Sequence, residues 1–143
     1  MLRNYKGVQM DNLQVSHFMA GKSLFFTKDM PVANAVDKLL THKFLGGPVI
    51  DQAGKVIGWL SEQDCLSRVL NASYHCELVA LVEDIMSTPV LTIKADCSIV
   101  DLAQLMLKTK PKIYPVVNDD NVFIGLITRK EVLKGISKQL ESC

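Results

Sequence analysis

Apolar positions in this chain change period several times, and each change marks an element. Leu24-Phe25-Phe26 is a short strand candidate. Val32, Ala35, Val36, Leu39 and Leu40 then recur at helical spacing with Pro31 in the first turn, which predicts a helix ending near His42 and Lys43. Two apolar runs, Pro48 to Ile50 and Val56 to Leu60, flank a cluster of turn formers from Asp51 to Gly54, a hairpin signal. Ser61, followed three residues later by Asp64, opens the next periodic segment, a helix-start signature. That helix is predicted from Glu62 to about Leu70, with Cys65, Leu66, Val69 and Leu70 on its apolar side and Asn71-Ala72-Ser73 as its stop.

The same grammar returns. Val90 to Ile93 is a strand candidate, and Ile99, Leu102, Ala103 and Met106 predict a helix with Asp96 as its N-cap. A second hairpin runs through Asp119-Asp120-Asn121, and Thr128 and Glu131 open a closing helix from Arg129 to about Ile136. Pro48 and Pro115, Gly58 and Gly125, Asp64 and Glu131, and Met19 and Met86 each stand 67 positions apart. The chain is therefore a tandem repeat without gaps from about Val15 onward. Each repeat reads strand, helix, strand, strand, helix, an α/β chain of the α+β kind. The predicted organisation is an arm over 1–14, repeats over 15–71 and 82–136, a connector over 72–81 that turns helical near Glu77, and a tail over 137–143. Neither half is expected to bury its faces alone, so the two are expected to pack as one module.

Composition narrows the function. The 143 residues suit one compact domain, 48% are hydrophobic, and the longest apolar runs are far too short for a membrane span. Leu2-Arg3-Asn4-Tyr5-Lys6 leads into no apolar stretch of the secretory kind, and a cytoplasmic location is expected. A net charge of +1 gives no electrostatic argument for a nucleic acid or a membrane surface. Cys65, Cys76, Cys97 and Cys143 form no Cys-x-x-Cys pair, and His75 beside Cys76 is a poor zinc signal, so they read as reduced thiols. Cys65 aligns with Val132 and reads as a small buried hydrophobe. His17, His42 and His75 are scattered and read as surface or helix-end residues, and Trp59, aligned with Leu126, as a core or dimer contact. No nucleophile–base pair, metal set or Gly-rich phosphate loop is visible, so no enzyme is expected.

Three features occur in order in both copies. Met19 or Met86 precedes a strand and an amphipathic helix. Pro48-Val-Ile-Asp51 or Pro115-Val-Val-Asn118 follows. Gly58 to Asp64 or Gly125 to Glu131 comes last, as Gly, two apolar residues, Ser or Thr, and an acid three further on. Together they resemble the CBS (cystathionine β-synthase) domain, and the pair resembles a Bateman module over roughly residues 15 to 136. The resemblance implies two pseudo-symmetric halves packed through their sheets, with two clefts for adenosine-containing ligands. It also implies pairing into disc-shaped homodimers and a non-catalytic regulatory role. It implies no required cofactor. AMP, ADP or ATP is the expected ligand class, ahead of S-adenosylmethionine or NAD. A nucleotide, a second copy and an effector protein are the expected partners, with no nucleic acid and no membrane.

The same resemblance assigns site residues. In the first repeat, Leu45, Gly46 and Gly47, just ahead of Pro48, stand where similar proteins read the adenine edge with backbone atoms, and their small size would leave room for the ring. Asp64 stands where the family holds the two ribose hydroxyls. Ser61 heads a helix whose free N–H groups and dipole attract phosphate, although Glu62 beside it repels negative charge and Arg68 offsets that only if it reaches back. Phe25 or Phe26 supplies an apolar wall; alternation does not choose between them. In the second repeat, Glu131 replaces the family's Asp, one methylene longer, and Tyr114 replaces Gly47, either filling the adenine space or stacking on a ring. Thr128, Arg129, Lys130 and Lys112 favour phosphate there, while Lys108, Lys110 and Lys112 read equally as a solvated edge. The competing reading is a ligand-free dimerisation or interaction scaffold in which both acids serve only as helix caps.

Overall fold

The computed structural model describes residues 13–109 and 111–141. Most of the predicted N-terminal arm, Lys110 and Cys143 lie outside them. The chain divides into two compact units. One holds residues 23–90; the other holds the described residues before 23 and after 90.

In the 23–90 unit the elements are β1 (Phe26–Thr27), α1 (Val32–Thr41), β2 (Gly46–Ile50), β3 (Val56–Ser61), α2 (Glu62–Ser73) and a short α3 (Val82–Ile85). The strands form one sheet in the order β1-β2-β3, with β1 parallel and β3 antiparallel to β2. The other unit repeats the plan with β4 (Ile93–Lys94), α4 (Ile99–Lys108), β5 (Ile113–Val117), β6 (Phe123–Thr128) and α5 (Arg129–Glu141), in the order β4-β5-β6. Each hairpin carries a register shift at the same place, between Val49 and Ile50 and between Val116 and Val117. The turns are built alike. The Asp51 carboxylate accepts the N–H groups of Ala53 and Lys55, both at 2.9 Å, and the Asn118 amide oxygen accepts those of Asp120 and Val122 at 2.9 and 3.0 Å. The left-handed position of the turn is Gly54 (φ 82°) in one copy and Asn121 (φ 63°) in the other, residue types that adopt it cheaply.

The compact units are offset from the sequence repeats. Ala20, from the opening of the first repeat, exchanges both backbone hydrogen bonds with Leu126 of β6 (2.8 and 3.0 Å). Ser87, from the opening of the second, does the same with Trp59 of β3 (2.8 and 3.0 Å). Each opening segment thus pairs along the outer edge of the other repeat's sheet. The core of the second-repeat unit begins with Val15 and continues through Ile93, Ile99, Leu102, Tyr114, Val116, Ile127 and Val132.

Several predicted boundaries are corrected. The first strand is Phe26–Thr27, not 24–26. α2 runs through Asn71-Ala72-Ser73 instead of stopping there, and α5 continues to Glu141. The cap of α4 is Ser98, whose hydroxyl accepts the N–H groups of Val100 and Asp101, not Asp96. Residues 77–80 are not helical. Leu40, Leu66 and Leu70, counted on apolar faces, are exposed at 77, 67 and 57%.

Gly58 and Gly125 make the edge pairing possible. A Cβ on Gly58 would run into the flexible Met86 thioether, and one on Gly125 would run into the Ala20 carbonyl oxygen, with the Met19 sulfur 3.0 Å away. A thioether can rotate aside and a backbone carbonyl cannot. Gly125→Ala is therefore expected to destabilise by about 1–3 kcal/mol, the range of overpacking, and Gly58→Ala by clearly less. Urea denaturation of the two variants checks the order; equal losses would contradict it.

Candidate functional site

β3 ends and α2 begins within one residue, and this junction gathers the first-repeat candidates. Antiparallel pairing sets Ser61 opposite Gly46 and Leu60 opposite Gly47. The Glu62 N–H donates to the Leu45 carbonyl (2.9 Å). Ser61 and Asp64 close a capping box: the Asp64 N–H donates to Ser61 Oγ (3.1 Å) and the Ser61 N–H to Asp64 Oδ2 (3.0 Å). Neither contact takes the N–H of Gln63, and Asp64 Oδ1 has no hydrogen-bond partner among the described residues. Ser61 and Asp64 are half-buried and Leu45, Glu62 and Gln63 exposed.

The second-repeat junction is a structural copy. Thr128 faces Ile113, and the Arg129 N–H donates to the Lys112 carbonyl (3.0 Å). Glu131 Oε1 accepts both the Thr128 N–H (2.7 Å) and the Thr128 hydroxyl (3.1 Å), and the Glu131 N–H reaches Thr128 Oγ1 at 3.4 Å. The extra methylene of Glu131 lets one oxygen serve two donors. Arg129, Lys130 and Lys112 are exposed where the first copy has Glu62, Gln63 and Leu45.

Packing bears on two expectations, the room beside the glycines and the stacking alternative for Tyr114. The space that Gly46 and Gly47 leave is filled by the protein itself. A Cβ on Gly46 would stand 2.7 Å from the Leu60 carbonyl oxygen and 2.8 Å from the Trp59 indole nitrogen, and one on Gly47 would stand 3.0 Å from Leu24 Cγ. Both glycines, with Pro48, are buried. Tyr114 is 1% exposed in the core, and its hydroxyl bonds to Thr109 Oγ1, so its ring presents no face for stacking on a base.

The structure also separates Phe25 from Phe26. Phe26 pairs with Val49 and is fully buried, whereas Phe25 is half-buried. Lys38, which sequence reasoning passed over, donates to the Phe25 carbonyl and holds its ammonium 4.7 Å from the Phe25 ring centroid and 5.3 Å from that of Phe26. Burial lowers its pKa. Its repeat counterpart is Leu105, so only one copy carries this cation. Its position within the helical apolar pattern gave no signal of that contact. Among the described residues no His, Cys, Asp and Glu group could hold a metal ion, and no helix is long and apolar enough to cross a membrane.

Comparison with known proteins places these junctions in context. The profile of the CBS domain matches residues 15–71 and again 82–138. An uncharacterised protein of Methanocaldococcus jannaschii is 23% identical, over 80% of this chain and 86% of that one. Inosine-5'-monophosphate dehydrogenase of Helicobacter pylori is 34% identical over 66% of this chain, which spans only 18% of that enzyme. The crystal structure of CBSX2, an Arabidopsis thaliana CBS-pair protein, in complex with AMP superposes with a TM-score of 0.75 at 28% identity, covering 90% of this chain and 98% of that one.

Cys65, next to Asp64, supplies a pH test of the junction. Burial first, and then the Asp64 carboxylate, push its thiol up to about 11 from an ordinary value of 9.0. Above pH 9 the unfolded chain gives up this proton while the folded chain keeps it, so the contribution is full below 9 and is lost as pH rises towards about 11. Cys65→Val, which installs the residue found at Val132, is expected to lose less stability than wild type across that window. Denaturation midpoints at pH 8 and 11 compare the two; parallel losses would contradict it.

Proposed function

The chain belongs to the CBS-domain family, and from that premise we propose that it is a non-catalytic regulatory module that binds an adenosine-containing small molecule. The observation that carries this reading is the AMP complex of CBSX2, a protein similar over nine-tenths of this chain. The junction chemistry suits the same ligand class. Capping and ribose binding do not compete for Asp64, because Oδ2 holds the Ser61 N–H and Oδ1 is left to accept a hydroxyl. The Gln63 N–H at the positive end of α2 suits phosphate. Adenine recognition falls to the backbone around Leu45, since Gly46 and Gly47 offer no open pocket of their own.

The two junctions are unequal. Exposed Glu62 disfavours added phosphates at the first, and Arg129 and Lys130 favour them at the second, where Glu131 commits one oxygen to two donors. AMP is accordingly assigned to the Asp64 junction, at one tight site per chain, and ADP and ATP to the Thr128 junction at lower affinity. The cytosol is the compartment that fits, since it supplies adenine nucleotides and keeps thiols reduced; Cys65, Cys76 and Cys97 are all free. Transmission to an effector protein completes the regulatory role.

A second role, assembly, is favoured by one specific observation. Leu66 and its repeat counterpart Leu133 are exposed at 67 and 66%, and Leu40 and Leu107 at 77 and 88%. Four leucines in repeat-equivalent positions are poor candidates for solvent and suit a homodimer interface. Light scattering at tens of micromolar is expected to give a dimer, and Leu66→Glu with Leu133→Glu a monomer. A wild-type monomer would remove the assembly role.

The nucleotide reading is tested on Asp64. Asp64→Ala removes a charge-assisted hydrogen bond to ribose, worth about 1.5–3 kcal/mol, so AMP should bind at least about tenfold more weakly. The same change opens the capping box and removes a first-turn acid, at a cost of about 0.3–1 kcal/mol, which a folded module survives. Asp64→Asn keeps an acceptor for the Ser61 N–H and isolates the loss of charge. Calorimetric titration with AMP should show the drop in both variants and not in Glu131→Ala. No AMP binding by wild type, or equal affinity in all four proteins, would sink the reading.

A further inference from the structure

The last turns of α2 and the segment that follows border an open surface groove of about 510 Å3, lined by Arg68, Asn71, His75, Glu77, Leu78 and Val79 among others. Its wall is a fixed piece of backbone. The N–H groups of His75 and Glu77 both donate to the Ala72 carbonyl (3.0 and 3.3 Å), and Cys76 turns the chain through φ 55°. Just beyond, the Ala80 carbonyl accepts the Val32 N–H (2.9 Å) and the Val82 N–H donates to the Met30 carbonyl (2.8 Å). The groove begins one turn beyond the Ser61 junction: Asp64 lies in the first turn of α2, Arg68 is four residues on, about 6 Å along the axis, and Asn71 about 10 Å. It also lies on a different face of α2 from Leu66 and Leu70, since Arg68, Asn71 and His75 recur at helical spacing of their own.

What lines the groove is complementary in charge and unspent. Among the described residues, the side chains of Arg68, Asn71, His75 and Glu77 have no hydrogen-bond or ion-pair partner. Arg68 is half-buried, where a guanidinium without a counter-charge is less well solvated than on the open surface. Its planar fork matches a carboxylate. Glu77 and the carbonyl end of α2 favour a cation instead. Leu78 and Val79 add aliphatic surface. The second repeat has no counterpart: Arg68 aligns with Gly135, which is buried with no room for a Cβ beside Ile99 and Phe18.

One cation, one anion beside a helix C-terminus, and aliphatic walls in a small volume describe a receptor for a zwitterion. We propose that this groove binds a free α-amino acid with an aliphatic side chain. Arg68 takes the carboxylate, Glu77 takes the ammonium, and Leu78 and Val79 contact the side chain.

Calorimetry on the full chain tests this with three probes: leucine, 4-methylpentanoate (leucine without its ammonium) and 3-methylbutylamine (leucine without its carboxylate). Leucine is expected to bind about tenfold or more tighter than either analogue, because each analogue forfeits one charged contact. In Arg68→Gln, leucine should fall to the level of 3-methylbutylamine; in Glu77→Gln, to that of 4-methylpentanoate. Glu77 is exposed and Arg68 half-buried, and glutamine keeps much of the length of each side chain and is a good helix former at position 68. The proposal is overturned if leucine does not bind at millimolar concentration, if all three probes bind alike, or if leucine keeps its full advantage in both variants.

Discussion

A three-stranded sheet has two edges, and an unpaired edge is a row of backbone donors and acceptors open to any passing strand. In both units here, the edge beyond the hairpin is closed by a segment borrowed from the opening of the other sequence repeat. Ala20 pairs with Leu126, and Ser87 with Trp59, by two hydrogen bonds each. The rest of the fold follows from that exchange. Position 125 must be glycine, because the Ala20 carbonyl lies where a Cβ would go, and position 58 favours it, because a Cβ there would displace the Met86 thioether. Val15 becomes part of the core around Ile99 and Tyr114 instead of the core of its own repeat. The exchange also makes either repeat incomplete as a unit of sequence, since each lacks the piece that covers its sheet.

Local order was legible in the sequence because local order is what side-chain period and turn chemistry encode. Both hairpins were visible from Asp51 and Asn118 and the apolar runs beside them, and both closing helices from Ser61 with Asp64 and Thr128 with Glu131. Helix ends were not. Asn71-Ala72-Ser73 has modest helix propensity, yet α2 continues through it because the Ser73 hydroxyl caps the Leu70 carbonyl (2.7 Å) and the turn lies on the surface. The cap of α4 also has a local signal: Ser98 and Asp101 repeat the Ser-x-x-Asp spacing, whereas Asp96 merely has a capping side chain. Residues 77–80 are not helical because their segment is tied sideways, with the Ala80 carbonyl bonded to Val32. The edge exchange itself is long-range, and no local period can carry it.

Side-chain counts also cannot tell which apolar stripe finds a partner. Leu66 and Leu70 sit at the same spacing as Cys65 and Val69, yet Cys65 is buried and Val69 half-buried while both leucines are exposed. The candidate site shows the same limit. Ser61, Asp64, Thr128 and Glu131 were identifiable as residues, but not the division of labour between two oxygens of one carboxylate. That division decides whether a cap can also be a ligand contact. Gly47 and Tyr114 mislead for a related reason. Residue size suggested an open or filled ligand space, while the actual neighbours are Leu24 and Phe26 in one copy and Thr109 in the other.

The two copies therefore share a backbone and differ in what hangs from it. The carbonyls of Leu45 and Lys112 accept the same N–H, and the capping boxes have the same topology, so the helix starts are held by interactions that tolerate either acid. With the backbone fixed in that way, exposed side chains beside it can differ at little structural cost, as Glu62 does against Arg129 and Gln63 against Lys130. A symmetric scaffold with unequal surfaces offers distinct chemical environments at equivalent points. Unequal surfaces on equivalent backbones mean that any coupling between the two points would have to be energetic rather than a matter of duplicate occupancy.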